Sequence, residues 1–448
     1  MKKMSFRQTR LLAATALGLV GAVGLNQAAH ASGFGLREGS ADWLGNAFVG
    51  GEAKAYDAGT VYSNPAGMAL LDQSQVSGNI SYIGPSAKFK GANSNPLSAV
   101  PGQPATLSGP TGGNVVSPAA SGAMFGVLVL NPDWRLGVSV TNPYGERTSY
   151  PKAWVGRYQG LVSSITGIDF SVALSYKVNN KLSIGGGPVV EYYQARLTQA
   201  INIPVMSQGI VPTDGYADVH GSDVALGYNL GVLYKIDDDT RVGLDYRSRI
   251  RHNIHGTEVI TGVPAALAPF GLSSATLNAR TNITSPDSIS ASIYHQLTPA
   301  LALMGSVQWT HWGLFNQLNI SPQGGAGNLL TQSATINERW RNTWFAGIGA
   351  NYQVNDRLML QTGFSYDESP VTNSNRTSRV PDSDHYNLGV GAKYKILPST
   401  TVDLAYLHVF TPGGTINSTA NAAGYTGTQV GSYSASDNSV TAGVNVVF

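Results

Sequence analysis

Along most of the chain, apolar residues alternate with small or polar ones at a period of two, the repeat of a β-strand with one face against an apolar medium. In ALGYNLGVLYKI, Leu226, Tyr228, Leu230, Val232, Tyr234 and Ile236 share one face, while Ala225, Gly227, Asn229, Gly231 and Lys235 take the other. SVALSYKV, TWFAGIGANYQV and HYNLGVGAKYKI follow the same pattern. Six connections between such runs are very short: Asn131-Pro132-Asp133, Asn179-Asn180, Asp237-Asp238-Asp239, Thr298-Pro299, Asn355-Asp356 and Leu397-Pro398-Ser399. The segments between them each hold two strands and one long loop rich in Gly, Asn and Ser. Short turns on one side and long loops on the other are the asymmetry of an outer-membrane barrel, which a soluble β-sandwich does not show. Six turns join twelve strands, and one more strand at each end gives fourteen. The pattern therefore predicts an all-β, 14-stranded antiparallel transmembrane barrel over residues 73–448 with both ends in the periplasm.

The two ends of the chain add an address. In SVTAGVNVVF, Val440, Ala442, Val444, Val446 and Phe448 alternate to a terminal aromatic, similar to the insertion signal that the barrel assembly machinery of Gram-negative bacteria reads. Residues 1–31 combine a basic start (Lys2, Lys3, Arg7, Arg10), the apolar run LLAATALGLVGAVGL and an Ala29-His30-Ala31 cleavage pattern, which reads as a secretory signal. The run is shorter than the roughly 20 residues of a membrane-spanning helix, the other reading. Outer-membrane lipids are the expected surroundings.

Composition narrows the chemistry. Only 12% of residues are charged, about half the usual share, which is unusual for a soluble protein. A net charge of +2 with no basic stripe gives no nucleic-acid partner. The absence of cysteine removes disulfides, thiolate metal sites and thiol nucleophiles. No GxSxG or GxxxxGK[ST] motif is present, and no cofactor is expected. His252 and His255 form HxxH, but residues three apart on a strand face opposite ways and do not chelate one metal. The Asp237 to Asp239 run lacks the Gly and Glu of a calcium loop. Nothing in the spacing of Ser, His and Asp assembles a hydrolase, so the chain is not expected to be an enzyme.

Residues 32–72 break the alternation. In YDAGTVYSNPAGMALLD, Asn64 has the character of a helix N-cap, Pro65 suits the first helical position, and Ala66 to Leu71 continue as two turns. With Trp43, Leu44, Phe48, Met68 and Leu70 supplying apolar surface, this Gly- and Ala-rich stretch suits a compact plug in a lumen that fourteen strands leave wide enough for water. A periplasmic arm is the alternative on composition.

GLREGSADWLGNAFVGGEAKAYDAGTVYSNPAGMALL resembles the N-terminal hatch of the FadL family, outer-membrane transporters of long-chain fatty acids and related hydrocarbons. The resemblance rests on Leu44-Gly45-Asn46-Ala47, Asp57-Ala58-Gly59 and Asn64-Pro65-Ala66, and extends through Asn142 to Gly145, Asp245-Tyr246-Arg247-Ser248 and the run from Tyr366 to Gly391. It implies a monomer blocked by its hatch, an outer groove that captures the substrate, an internal pocket, and a sideways exit through a gap beside a kinked third strand. Pro143 independently supports that gap, because proline cannot donate to a sheet ladder; the other reading is that it starts a loop. Pro143, Tyr144 and Gly145 are thus the expected lateral gate, and Leu44, Phe48, Asn64, Pro65, Ala66, Met68 and Leu70 the expected hatch contacts. For the substrate head group the resemblance carries over only in part. Asn142 stands where the family has a polar residue beside the kink, Arg196 and Arg341 fall near its basic positions, and Arg157, Arg247 and Arg339 are further candidates. The implied substrate is a long-chain fatty acid, with an aromatic hydrocarbon as an alternative in the same family and a general diffusion porin as the alternative outside it.

Overall fold

The computed structural model describes residues 32–98, 103–422 and 425–448; the expected secretory signal lies outside them. Alternation becomes wall. The strands are β1 (Gln75–Asn93), β2 (Ala119–Val129), β3 (Trp134–Ser149), β4 (Val162–Lys177), β5 (Leu182–Ile201) and β6 (Gly215–Lys235). They continue with β7 (Thr240–Arg247, then Ile250–Thr261), β8 (Ala275–Ser285, then Ser288–Gln296), β9 (Leu301–Thr310, then Gln317–Gln323) and β10 (Ala334–Asn337, then Thr343–Gln353). The last are β11 (Leu358–Asp367), β12 (His385–Leu397), β13 (Thr400–Phe410, then Gly414–Ala422) and β14 (Tyr425–Val447). Each pairs antiparallel with its neighbours, and β14 returns to β1 from Gln75↔Val447 to Asn93↔Gln429, closing a 14-strand barrel. Pairing the first strand with the last closes the ring, the condition for a sheet in hydrocarbon, and leaves an interrupted ladder between β2 and β3. The six short turns fall where the sequence places them.

Leu226, Tyr228, Leu230, Val232, Tyr234 and Ile236 all face outward. Trp344 and Tyr352 on β10, and Tyr386 and Tyr394 on β12, are also exposed, each pair roughly 26 Å apart along a tilted strand. They mark the two aromatic girdles of the apolar band. At the closing seam the Phe448 amide donates to Ser74 O at 2.9 Å.

The N-terminal segment lies inside the barrel, as three short helices, α1 (Ala41–Leu44), α2 (Gly51–Lys54) and α3 (Thr60–Ser63), followed by the turn Pro65–Leu70. Asn64 caps that turn, accepting from the Ala66 amide at 3.1 Å, but the turn is a tight 3-10 helix in place of an α-helix. Its Asn64 amide nitrogen donates to Glu52 O at 2.7 Å and to Val232 O of β6 at 3.0 Å, pinning turn to wall. Met68 is fully buried, with Leu71 and Trp43, against Ala123, Phe125, Val127 and Ala173 of β2 and β4, whereas Leu70 is half-buried. Leu44 packs on Ala405, Leu407 and Val409 of β13.

Inward-facing glycines let backbone approach backbone. A Cβ on Gly243 would lie 1.9 Å from Glu52 O, and one on Gly363 2.0 Å from Asn46 O. Buried charges fix the segment further: Asp42 pairs with Lys54 at 2.7 Å and with Lys393 of β12 at 2.8 Å, and Lys393 also meets Asp57 at 3.1 Å and Asp403 at 3.0 Å. Burial opposes ionisation of Asp42, yet the two ammonium groups outweigh it and hold its carboxyl below the usual range. Breaking such a network is costly because it strands a buried charge.

Candidate functional site

The β2–β3 ladder runs from Val129↔Arg135 to Met124↔Val140 and then stops. Farther out a single bridge, Val116↔Thr148, reconnects the two chains in the same register. Between these points the wall is unpaired over roughly 25 Å. The interruption begins at Asn142-Pro143, where β3 carries one residue more than β4 and their register slips between Thr141 and Tyr144. Pro143 has no amide hydrogen to give, so the ladder loses a donor where the bulge bends the strand.

The free edge of β3 is taken up from inside. Leu36 N donates to Pro143 O at 2.8 Å and Gly145 N to Phe34 O at 2.9 Å, so the start of the N-terminal segment replaces β2 as a partner. Gly33 has φ +67° and donates to Asp382 Oδ2 at 2.8 Å; a Cβ there would meet the Trp340 ring at 2.7 Å. Only glycine fits that turn without strain. It delivers Phe34 edge-on to Trp312, Phe315 and Tyr144, at ring-centre distances of 4.7, 5.5 and 5.7 Å.

Below this aromatic cluster a cavity opens between the N-terminal segment and the wall. Asn142, Pro143 and Tyr144 line it with Phe48, Tyr62 and Trp312, and so do Glu52, Asp169, Glu191, Asp245, Arg37 and Arg247. Neither polar atom of the buried Asn142 side chain has a hydrogen-bond partner among the described residues. Both guanidinium groups are engaged: Arg247 pairs with Asp169 at 3.3 Å and lies 3.6 Å above the Tyr62 ring, and Arg37 pairs with Asp367 at 3.0 Å. Glu191 accepts from Ser285 Oγ at 2.5 Å and stands 2.7 Å from His252 Nε2. Burial pushes Glu52 above its ordinary range. The site offers aromatic walls, four carboxyl groups and one unsatisfied amide, and among the described residues neither lining arginine is without a carboxylate.

A family model described as outer membrane protein transport protein (OMPP1/FadL/TodX) matches residues 22–448. The chain belongs to this family. Similar proteins include the long-chain fatty acid transport protein of Escherichia coli O6:H1, 27% identical, with 91% of this chain and 92% of the relative covered. Among solved structures, a Pseudomonas aeruginosa FadL homologue matches with a TM-score of 0.84 at 24% identity, over 93% of this chain and 99% of that one. The P. putida toluene transporter TodX matches with a TM-score of 0.64 at 16% identity, over 92% and 99%. The family is one of outer-membrane transport proteins, which sets the enzymatic readings aside.

Of the head-group candidates, this FadL/TodX-family chain brings only Asn142 and Arg247 to the cavity. Arg157 lies in the loop after β3, paired with Asp214 at 2.8 Å. Arg196 is on the outer face of β5, half exposed and paired with Asp218 at 2.6 Å. Arg339 is exposed with φ +50°, and Arg341 is bound to Glu368 at 3.0 Å. Sequence reasoning missed Asp169 and Glu191. Their signal was present: a carboxylate at an inward position of an otherwise apolar strand, as in GIDFSVA and VVEYYQ, requires a lumenal partner. His252 is buried and His255 exposed, so HxxH gathers no metal.

Proposed function

We propose that this protein carries hydrophobic molecules, long-chain fatty acids first among them, from the cell exterior into the outer leaflet, passively and as a monomer. The substrate passes the aromatic cluster, occupies the cavity and leaves sideways through the unpaired stretch between β2 and β3. The observation that carries this reading is the cavity backing directly onto that gap, with Asn142 to Tyr144 lining one and bordering the other. Residues 32–72 act as the hatch that closes the lumen to water and ions, and withdrawal of its first residues from Pro143 and Gly145 would clear the way out. Pro143, Tyr144 and Gly145 are accordingly the lateral gate.

Energetics favour that exit. Burying about fifteen methylenes contributes roughly 12 kcal/mol at ~0.8 each, whereas a charge-assisted hydrogen bond to the carboxylate contributes ~1.5–3. Release into aqueous periplasm would forfeit the stabilisation of the buried acyl chain, while passage into the bilayer keeps it, so no energy source is needed. A second reading, uptake of an uncharged hydrocarbon, is favoured by the ion-paired state of both cavity arginines. Purified protein in liposomes should speed uptake of a long-chain fatty acid without ATP and conduct few ions. Large steady currents from intact protein would mean a porin instead.

A further inference from the structure

The cavity behind the gap is rich in acceptors that no group of the protein completes. Asp245, 4% exposed on the inward row of β7, lines it together with Glu52 of α2. The two are neighbours, because Gly243, two residues along the same row, lies against the Glu52 backbone. Asp245 Oδ1 and Glu52 Oε2 are both out of solvent and without a hydrogen-bond partner among the described residues. Neither residue forms an ion pair there either, because the lining cations are committed elsewhere: Arg247 to Asp169 at 3.3 Å and Tyr62 O at 3.0 Å, Arg37 to Asp367 at 3.0 Å. Toward the gap, Asn142 is 6% exposed with neither polar atom partnered, and the Thr141 hydroxyl beside it is equally alone. A buried acceptor without a donor is an unfavourable arrangement unless a ligand supplies one. A carboxylate head would bring two more acceptors and a further negative charge to this place, and an ester would bring no donor.

We propose that this cavity selects amphiphiles by a head group that donates hydrogen bonds, a hydroxyl or a primary ammonium, seated against Asp245 and Glu52 with the hydrocarbon tail along Phe48, Tyr62 and Trp312. Asn142 offers the same donor a further acceptor at the mouth of the gap. An ammonium gains in addition from the aromatic faces, as the Arg247 guanidinium does 3.6 Å above the Tyr62 ring. This assignment deepens the transport reading and rests on it. A fatty acid fits the same place with its proton on, as a donor, and not as the anion.

The test compares binding of dodecylamine, 1-dodecanol, methyl dodecanoate and dodecanoate to wild type and Asp245→Asn at pH 8, where the amine is protonated and the acid ionised. Wild type should bind amine and alcohol roughly tenfold or more tighter than ester and carboxylate. Asp245→Asn puts an NH2 donor in place of an acceptor oxygen, so it should weaken the amine roughly tenfold, strengthen the carboxylate and leave the ester unchanged. A preference for amine over alcohol identifies a cationic head and the reverse a neutral one, and either supports the assignment. A wild type that binds carboxylate or ester as tightly as amine and alcohol would overturn it, and so would an equal loss for all four ligands in Asp245→Asn. The wild-type comparison decides even if the variant fails to assemble. Failure of the transport reading itself looks different: wild type would then bind none of the four.

Discussion

Gly363 on β11 faces the lumen where the hatch backbone crosses it, and substituting alanine there tests whether the hatch is what closes the barrel. A Cβ at Gly363 would sit 2.0 Å from Asn46 O, so contact at 3.0 Å or more requires the hatch to retreat by about 1 Å. Asn46 has little slack. Its amide donates to Asn351 Oδ1 at 2.8 Å, Thr362 O at 3.0 Å and Ala350 O at 3.2 Å, and its oxygen accepts from Lys54 Nζ at 2.8 Å and Gln361 Nε2 at 3.2 Å. A shift of that size stretches the four that reach the wall, and at about 1 kcal/mol net apiece the hatch loses several kcal/mol of docking. The barrel should survive, because Gly363 pairs with Gly349 and Gly389 through backbone groups that alanine retains. Gly305→Ala is the control: the nearest atom to its added Cβ is 3.7 Å away. In planar bilayers Gly363→Ala should leak ions where wild type and Gly305→Ala stay closed, all three running as heat-modifiable barrels. An assembled Gly363→Ala as closed as wild type would mean that the hatch is not what seals the lumen.

Two further outcomes follow from the hatch and the seam. Glu38 in the hatch is buried, and desolvation first and the Asp437 charge second push its carboxyl up to about 7. Its contribution to hatch docking is therefore full below its ordinary value of 4.5 and is lost as pH rises through about 7, a change of about 3 kcal/mol. Conductance should rise between pH 5 and pH 8 in wild type and stay low in Glu38→Gln; equal pH responses in the two would contradict this. Removing Val444 to Phe448 deletes the register Val444↔Gly78 to Val447↔Gln75, so heat-modifiable barrel should be largely lost, while molecules that do assemble transport normally.

The wall was legible because lipid imposes one rule on every strand. Leu226 to Ile236 alternate whatever their neighbours are, and tight turns such as Asn179-Asn180 need no tertiary information. Asn64-Pro65 was legible for a related reason, since a cap and a pre-set φ act locally. What the lumen does with a side chain is different, because the partner comes from a distant segment. Arg247 meets Asp169 and Tyr62, and Arg196 faces away from the lumen, and neither fact follows from spacing along one strand. Helices α1 to α3 escaped notice because four-residue elements leave no periodic trace.

Shortening the β3 bulge separates exit of substrate through the wall beside β3 from every other route. Deleting Pro143 removes the extra residue and restores regular register of β3 with β4, which would let Ala123 and the residues before it pair with β3 and close the gap. The measurement is the rate at which fatty acid reaches the bilayer of liposomes carrying wild type or the deletion variant, at matched amounts of folded barrel and with binding assayed in parallel. The deletion variant should bind fatty acid but deliver it no faster than protein-free liposomes. Delivery at the wild-type rate through the repaired wall would contradict it.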